Sequence, residues 1–130
     1  MYKAGIITAS DKGSQGLRED KGGPAIREIL SGFADTFEVV DYRIVPDEKV
    51  RLTSAMIDMA DIQKIDLIVT TGGTGFSKRD VTPEATLEVI ERRTPGIPEA
   101  MRSISLAVTM RAMLSRAEAG IRGNSIIINL

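Results

Sequence analysis

The sequence alternates short apolar runs, rich in β-branched residues, with longer segments in which apolar residues recur at helical spacing. The apolar runs at residues 4–9, 37–45 and 65–69 predict strands, and the segments at residues 24–33 and 48–63 predict amphipathic helices. Strands that alternate with helices are joined by crossover connections, which produce a parallel sheet covered by helices on both faces. A mostly parallel sheet is therefore the expected scaffold.

The second half of the chain continues this alternation and closes it with a hairpin. Thr82 and Pro83 predict the start of another helix, with Thr82 as its N-cap. The helix-like segment that follows contains Pro98, which we expect to break it. A turn at Gly123-Asn124 precedes a final apolar strand. We therefore predict an α/β fold, a three-layer sandwich with a mostly parallel central sheet and one antiparallel edge hairpin.

Length and charge limit the classes of protein that this chain can belong to. Its 130 residues fit one domain, residues 1–130, and 42% of them are hydrophobic. Seventeen basic and eighteen acidic residues give a net charge of −1, which argues against an electrostatic grip on nucleic acid or an anionic membrane. The first ten residues contain too short an apolar run for a secretory signal, and no run is long enough to span a bilayer. We expect a cytoplasmic protein.

The chain contains no cysteine and no histidine. The absence of cysteine excludes disulfides, thiolate nucleophiles and zinc-thiolate sites. The absence of histidine excludes the commonest general base and the commonest transition-metal ligand, and with them a serine triad. Any chemistry must therefore use carboxylates, hydroxyls, cations and backbone amides.

The segment "VTTGGTGFSKRD" at residues 69–80 ends a predicted strand with three closely spaced glycines. The spacing of Gly72, Gly73 and Gly75 fits neither the dinucleotide-binding fingerprint nor the Walker loop. The exposed backbone amides, together with the hydroxyls of Thr71 and Thr74, are suited to binding an anion such as phosphate. The alternative is a tight strand-to-helix turn that requires glycine for its own geometry.

Acidic and hydroxyl residues follow the ends of three predicted strands, at the edge of a parallel sheet where ligands usually bind. Asp47 and Asp80 point into the same predicted crevice as the glycines, and two carboxylates beside a phosphate are expected to share a Mg²⁺ ion. The alternatives are a turn residue after Pro46 for Asp47 and a local hydrogen bond near the helix start for Asp80. Ser10 and Asp11 could bind a substrate hydroxyl or base, or could serve only turn formation.

These residues resemble a known family, the molybdenum-cofactor biosynthesis proteins of the MogA/MoaB type, which are related to the G domains of gephyrin. The resemblance extends along the whole chain. It rests on the segments at residues 70–86, 45–48, 95–102 and 119–123, and on Ser10-Asp11 with the following "RED..GP" at residues 18–24.

The resemblance implies a molybdopterin adenylyltransferase, which uses MgATP to place AMP on the terminal phosphate of molybdopterin and releases pyrophosphate. It implies that Asp47 and Asp80 are catalytic and hold Mg²⁺. It further implies that Gly72, Gly73, Thr74 and Gly75 form the phosphate-binding loop, and that Glu99 lies near the site.

The resemblance also carries expectations about partners and extent. It implies a homotrimer and a transient contact with a molybdenum-insertion protein. The mixed polar and methionine-rich helical surfaces between Pro98 and Arg116 are the expected source of the trimer contacts. The family continues after "INL" into a Pro-Gly-Ser loop and a closing helix, so we expect residues 1–130 to lack both. Two other functions stay open: a MoaB-like paralogue or scaffold that binds molybdopterin without significant catalysis, and a general nucleotide-binding or interaction module.

Overall fold

The computed structural model describes all residues from Met1 to Leu130. Six strands and five α-helices alternate along the chain, with one π-helical turn and one 3₁₀ helix. In order, they are β1 Tyr2–Ala9, α1 Asp11–Ser14, α2 Gly22–Ser31, β2 Phe37–Val45, α3 Lys49–Ile57, the π-helical turn Asp58–Ile62, β3 Leu67–Thr71, α4 Thr82–Val89, β4 Arg92–Arg93, α5 Gly96–Leu106, the 3₁₀ helix Met110–Leu114, β5 Ala119–Arg122 and β6 Ser125–Asn129.

The strands form one mixed sheet in the order β2-β1-β3-β6-β5-β4. Strands β2, β1, β3 and β6 are parallel, whereas β5 runs antiparallel to both β6 and β4. The hairpin predicted at Gly123-Asn124 joins β5 to β6 and carries the sheet to its antiparallel edge. The predicted α/β fold with a mostly parallel sheet is confirmed.

Helices cover the sheet on two faces because alternate residues of each strand point in opposite directions. In β1, Ile7 belongs to the larger core beneath α3, the π-helical turn and α4, whereas Ile6 packs towards α2. The larger core contains thirteen buried residues. The smaller one is centred on Ile6, Ile26 and Val69. The larger core therefore fixes α3 and α4 against the sheet.

The helix predicted at residues 48–63 ends earlier than its pattern suggests. The helical spacing of the apolar residues in this segment predicts that Val50 and Ile62 lie on its buried face. They are instead 72% and 75% exposed, and the buried stripe begins at Leu52. Leu52 and Met59 are seven residues apart and share one helical face, on which Val50 does not lie. The π-helical turn after Ile57 widens the spiral and rotates Ile62 away from the sheet.

Two predictions about helix starts were wrong. Pro98 does not break its helix, because it lies in the first turn of α5, where a missing N–H group removes no intrahelical hydrogen bond. Thr82 is the first residue of α4 and not its N-cap, a position held by Val81. The Thr82 hydroxyl instead donates to the carbonyl oxygen of Gly72 at 3.0 Å. None of the helices combines the length and hydropathy that crossing a bilayer requires.

A buried polar network connects the sheet to α4. The amide of Asn129 donates to the hydroxyls of Thr70 and Thr86, at 3.0 and 2.9 Å, and accepts from the backbone N–H of Glu118. Thr86 then donates to the carbonyl oxygen of Thr82 at 2.9 Å. These four side chains, Thr70, Thr82, Thr86 and Asn129, are fully buried. Since buried polar groups are costly when unpaired, the network fixes β3, β6 and α4 relative to one another.

We expect Asn129→Ala to lower the free energy of unfolding by about 2–4 kcal/mol, because it leaves a cavity and removes the partner of the Glu118 amide. Urea denaturation measures this change. Asn124→Ala, at the exposed hairpin turn, is the matched control and should change stability by less than about 0.5 kcal/mol. Equal effects of the two substitutions would contradict the importance of the network.

Candidate active site

The carboxyl ends of β1, β2 and β3 lie side by side at one edge of the sheet. Ala9 pairs with Val45 at the end of β2, and Thr8 pairs with Thr71 at the end of β3. The three loops that follow these strands therefore share one rim, as the sequence predicts. We call this the strand-end rim and the loop of residues 72–80 the glycine loop.

Two residues of the glycine loop must be glycine. Gly72 and Gly73 have φ angles of 89° and 73°, which other residues rarely adopt. A Cβ atom at Gly72 would overlap the carbonyl oxygen of Ala9, and one at Gly73 would overlap the hydroxyl of Thr82. The interpretation of this segment as a tight turn that requires glycine is thus correct. Phosphate binding by the loop stays a prediction.

Asp11 and Asp47 hold each other in place across two loops of the rim. The backbone N–H of Asp11 donates to Asp47 Oδ2 at 3.0 Å, and the N–H of Asp47 donates to Asp11 Oδ1 at 2.9 Å. Arg79 of the glycine loop donates from Nε and Nη2 to both carboxylate oxygens of Asp11, at 3.0 and 2.8 Å. The Arg79 guanidinium holds the pKa of Asp11 below its ordinary value. These contacts join all three loops.

The second carboxylate oxygen of Asp47, Oδ1, is buried and has no hydrogen-bond partner. It faces the glycine loop, because a Cβ atom at Gly73 would lie 3.2 Å from it. Burial raises the pKa of Asp47 above its ordinary value, the amide of Asp11 opposes this, and the negative charges of Asp11 and Asp80 raise the pKa further. An unpaired buried oxygen in this field is suited to a cation.

The donor set fits magnesium brought by a phosphate ligand better than a site made of protein alone. No group of three or more carboxylates is arranged to hold a metal ion. Mg²⁺ commonly binds through one or two carboxylates, with waters and substrate phosphates completing its six positions. Asp47 and Asp80 could supply those carboxylates.

Asp80 closes the glycine loop with a local hydrogen bond. Its Oδ2 accepts from the backbone N–H of Ser77 at 2.9 Å, and its own N–H donates to the carbonyl oxygen of Ser77 at 3.0 Å. The local-bond interpretation of Asp80 is therefore correct, and it orients the carboxylate. Whether that carboxylate also holds a metal stays a prediction.

The other predicted site residues are placed unequally. Ser10 accepts from the N–H of Gly13 at 2.9 Å and caps the short helix α1, which supports its turn interpretation. Thr71 packs against Gly22 at the start of α2. Thr74 lines a cavity of about 250 Å³ between the glycine loop, α5 and Leu130. Glu99 is exposed on α5 and does not line that cavity, and no hydrogen bond joins its side chain to the strand-end rim.

Arg116 is a site residue that the sequence did not indicate. Its Nε donates to the carbonyl oxygen of Gly75 at 2.8 Å and its Nη2 to that of Asp80 at 2.7 Å. Glu84 of α4 accepts from the same guanidinium, which lowers the pKa of Glu84. No spacing pattern links Arg116 to a loop 41 residues earlier, so only the folded chain reveals the contact.

Comparison with known proteins places the chain among molybdopterin-related sequences. Residues 5–130 match the family described as "Probable molybdopterin binding domain". The chain is 47% identical over 126 residues to the molybdopterin adenylyltransferase of Helicobacter pylori strain J99, covering 97% of this chain and 72% of that protein. It is 41% identical over 128 residues to the molybdopterin adenylyltransferase of Escherichia coli K12, covering 98% of this chain and 66% of that protein.

A solved structure shows the same fold. The molybdopterin biosynthesis enzyme MoaB from Thermus thermophilus superposes with a TM-score of 0.93 at 48% identity, covering 100% of this chain and 80% of that one. The resemblance drawn from the sequence motifs is thereby confirmed.

We expect Asp47→Asn to leave the melting temperature unchanged or higher at neutral pH with EDTA present. Folding raises the pKa of Asp47, so this group favours the folded state at low pH and loses that contribution as pH rises through the raised pKa. Asparagine removes the buried charge. The difference in melting temperature between Asp47→Asn and the wild type should therefore shrink as pH falls through the raised pKa of Asp47. Thermal melts over a pH series measure this difference.

Asp20→Asn is the control, because folding lowers the pKa of Asp20 whereas it raises that of Asp47. Burial raises the pKa of Asp20, but hydrogen bonds from Tyr42, Thr8 and the amides of Gly22 and Gly23 outweigh it, so the pKa lies below its ordinary value. The Asp20 carboxylate therefore adds to the free energy of unfolding at pH values above the ordinary pKa of aspartate. This added stability is lost as pH falls through the lowered pKa of Asp20. Asp20→Asn should lower the melting temperature at neutral pH, and an equal loss in Asp47→Asn would contradict our description of Asp47.

Proposed function

Because the chain belongs to the family described as "Probable molybdopterin binding domain", we propose that it is a molybdopterin adenylyltransferase. It transfers AMP from MgATP to the terminal phosphate of molybdopterin and releases pyrophosphate. Relatives that carry this enzyme name align with 97–98% of the chain. The activity is proposed for this chain on the strength of those relatives and of the geometry of the strand-end rim.

The observation that carries the proposal is the unpartnered, buried Oδ1 of Asp47 against Gly73. A buried carboxylate oxygen without a partner is costly to folding, and carboxylates perturbed by burial and by neighbouring charges cluster at functional sites. Here it lies beside a loop of free backbone amides that is suited to phosphate. A carboxylate and a phosphate repel each other unless a cation lies between them, so the pair supports a magnesium-nucleotide substrate.

The reaction needs no general base. An ionised phosphate oxygen of molybdopterin attacks the α-phosphorus of ATP, a new O–P bond forms, and the bond from that phosphorus to the bridging oxygen breaks. Pyrophosphate leaves with the electron pair. Because the nucleophile is already an anion at neutral pH, a chain without histidine or cysteine can run this chemistry by alignment and charge neutralisation.

The residues of the rim divide this work. The amides of Gly72, Gly73 and Gly75, with the hydroxyls of Thr71 and Thr74, bind phosphate oxygens. Asp47 and Asp80 are the catalytic carboxylates and would hold Mg²⁺, which supplies positive charge beside the phosphates. One oxygen of each carboxylate accepts a backbone N–H, from Asp11 for Asp47 and from Ser77 for Asp80. These hydrogen bonds hold both carboxylates at the rim.

Three further residues are weaker candidates for substrate binding. Ser10 and Asp11 lie on the rim, but their side-chain oxygens are engaged with Gly13, Asp47 and Arg79. Their contribution to substrate binding therefore requires that a ligand share or replace these bonds. Glu99 is exposed on α5 and makes no hydrogen bond to the rim, so its part in substrate binding rests on the family resemblance alone.

A MoaB-like paralogue that binds molybdopterin without significant catalysis is the second candidate. The observation that favours it is the superposition on a MoaB structure with a TM-score of 0.93. Binding alone requires the glycine loop but not two carboxylates. The assay of product formation below separates the two functions.

We propose a cytoplasmic homotrimer that binds no nucleic acid and meets a molybdenum-insertion protein transiently. The support for assembly is an exposed apolar surface on α5 and the segment after it. Its exposed residues are Ile104, Leu106, Val108, Met110, Met113 and Leu114. An apolar surface of this kind on a small domain is typical of a protein interface.

We expect Asp80→Asn to lower adenylyl transfer by about 10²-fold or more, because it removes the charge of an electrostatic stabiliser while keeping the shape of the side chain. The measurement is the initial rate of adenylyl-molybdopterin formation at saturating MgATP. Molybdopterin binding should persist, since loss of a negative charge near a phosphate does not weaken attraction.

Asp66→Asn is the matched control for this substitution. Asp66 also accepts a backbone N–H with one carboxylate oxygen, from Lys3 at 2.9 Å, but it precedes β3 and so lies at the opposite edge of the sheet from the glycine loop. Its turnover should equal that of the wild type. Wild-type turnover in Asp80→Asn would remove Asp80 from catalysis, whereas absence of product in the wild type itself would favour the binding paralogue.

We also expect light scattering to give three times the mass of one chain at working concentration. Substituting Val108 and Met110 with aspartate should shift the protein towards the monomer, because buried charges in an apolar interface are strongly unfavourable. A wild-type protein that is a stable monomer would overturn the proposed trimer.

A further inference from the structure

We propose that Arg116 is a positioning residue of the proposed reaction: it fixes the glycine loop, and through it the carboxylate of Asp80, without touching substrate. The inference rests on the proposed function. Asp80 acts only if its carboxylate is held in one place relative to Asp47, and a shift of about 1 Å at such a group can cost 10²-fold in rate.

Arg116 binds the glycine loop at Thr74 and Gly75 and again at its last residue, Asp80. Its backbone N–H donates to the carbonyl oxygen of Thr74 at 2.9 Å, and its Nε donates to that of Gly75 at 2.8 Å. Its Nη2 donates to the carbonyl oxygen of Asp80 at 2.7 Å. One guanidinium therefore spans the segment between Gly75 and Asp80 and fixes the distance between its ends.

The segment that Arg116 spans has little other support. Phe76, Ser77 and Lys78 are exposed, so no apolar packing holds them. The remaining contacts are the local bonds between Ser77 and Asp80 and the ion pair of Arg79 with Asp11. The local bonds set the shape of the turn, Arg79 ties its exposed side to the loop after β1, and Arg116 ties the backbone at Gly75 and Asp80 to α4 through Glu84.

Glu84 determines where the guanidinium lies. Its carboxylate accepts from Nη1 of Arg116 at 2.6 Å and from Nη2 at 3.3 Å. Glu84 belongs to the first turn of α4, whose buried residues Thr82 and Thr86 join the Asn129 network. Arg116 thus connects an exposed loop to α4, a helix that the buried Asn129 network holds against the sheet.

The chemistry of the contacts requires arginine. Three different nitrogens of the side chain are used, in a planar fork that reaches two carbonyls and a carboxylate. The single ammonium of lysine cannot reproduce that span. Because all three nitrogens are already engaged within the protein, a direct role in binding a substrate phosphate is disfavoured.

Arg116 is also placed to affect activity more than stability. The side chains of Arg116 and Glu84 are 35% and 47% exposed, and ion pairs with that exposure contribute little to folding. Arg122 offers a closely matched control at the other end of the sheet. It binds both oxygens of Asp61 and the carbonyl oxygen of Val89, and the side chains of Arg122 and Asp61 are 25% and 42% exposed.

The first test compares Arg116→Lys with Arg122→Lys in steady-state adenylyl transfer. We expect Arg116→Lys to lower kcat about 10- to 100-fold with molybdopterin affinity unchanged, and Arg122→Lys to match the wild type. Because Arg116 acts through Asp80, the double variant Arg116→Lys/Asp80→Asn should be no slower than Asp80→Asn alone. Unchanged kcat in Arg116→Lys, or independent losses in the double variant, would overturn the proposal.

The second test does not depend on activity. In Arg116→Lys, amide hydrogen exchange should accelerate at Ser77 and Asp80, whose N–H groups donate within the glycine loop, and should stay unchanged in α4. Arg122→Lys should leave the exchange of Ser77 and Asp80 at the wild-type rate. Faster exchange through α4 as well would show a general structural role and overturn the proposal. If the wild type makes no adenylyl-molybdopterin, the proposed function fails, and this exchange pattern alone still decides whether Arg116 fixes the loop.

Discussion

The site depends on the buried hydrogen-bond network centred on Asn129. Its side chain joins Thr70 at the end of β3 to Thr86 of α4, and Thr82 of the same helix donates to the carbonyl oxygen of Gly72. Each of these polar groups is buried and would be costly without its partner. The strand before the glycine loop and the helix after it are therefore fixed together, and the loop between them has little freedom in how it begins.

Beside this fixed frame lies a buried carboxylate oxygen without a hydrogen-bond partner, Oδ1 of Asp47. The backbone N–H of Asp11 holds the other oxygen of that carboxylate, and Arg79 in turn holds Asp11, so the orientation of the free oxygen is constrained. Carboxylates that are perturbed by burial and by neighbouring charges cluster at functional sites. The arrangement explains how a chain without histidine or cysteine can offer a site for phosphate chemistry.

The sequence predicted the parts of the structure that depend on neighbouring residues. The strand at residues 37–45, the hairpin turn and the glycine loop were correctly placed, because periodicity and glycine content are local signals. Contacts between distant residues were missed. Asn129 binds Thr70 from 59 residues away and Arg116 binds Gly75 from 41 residues away, and no spacing pattern records either pair. Pro98 and Thr82 were misjudged because their roles depend on which turn of a helix they occupy.

The central claim is that the glycine loop and the two carboxylates form one site for adenylyl transfer. The most direct measurement mixes the protein with molybdopterin, Mg²⁺ and ATP labelled in its α-phosphate, and follows the label by chromatography. We expect the label to join molybdopterin and one pyrophosphate to be released for each adenylyl group transferred. Retention of molybdopterin by the protein with the label still in ATP would contradict it and would identify a binding protein.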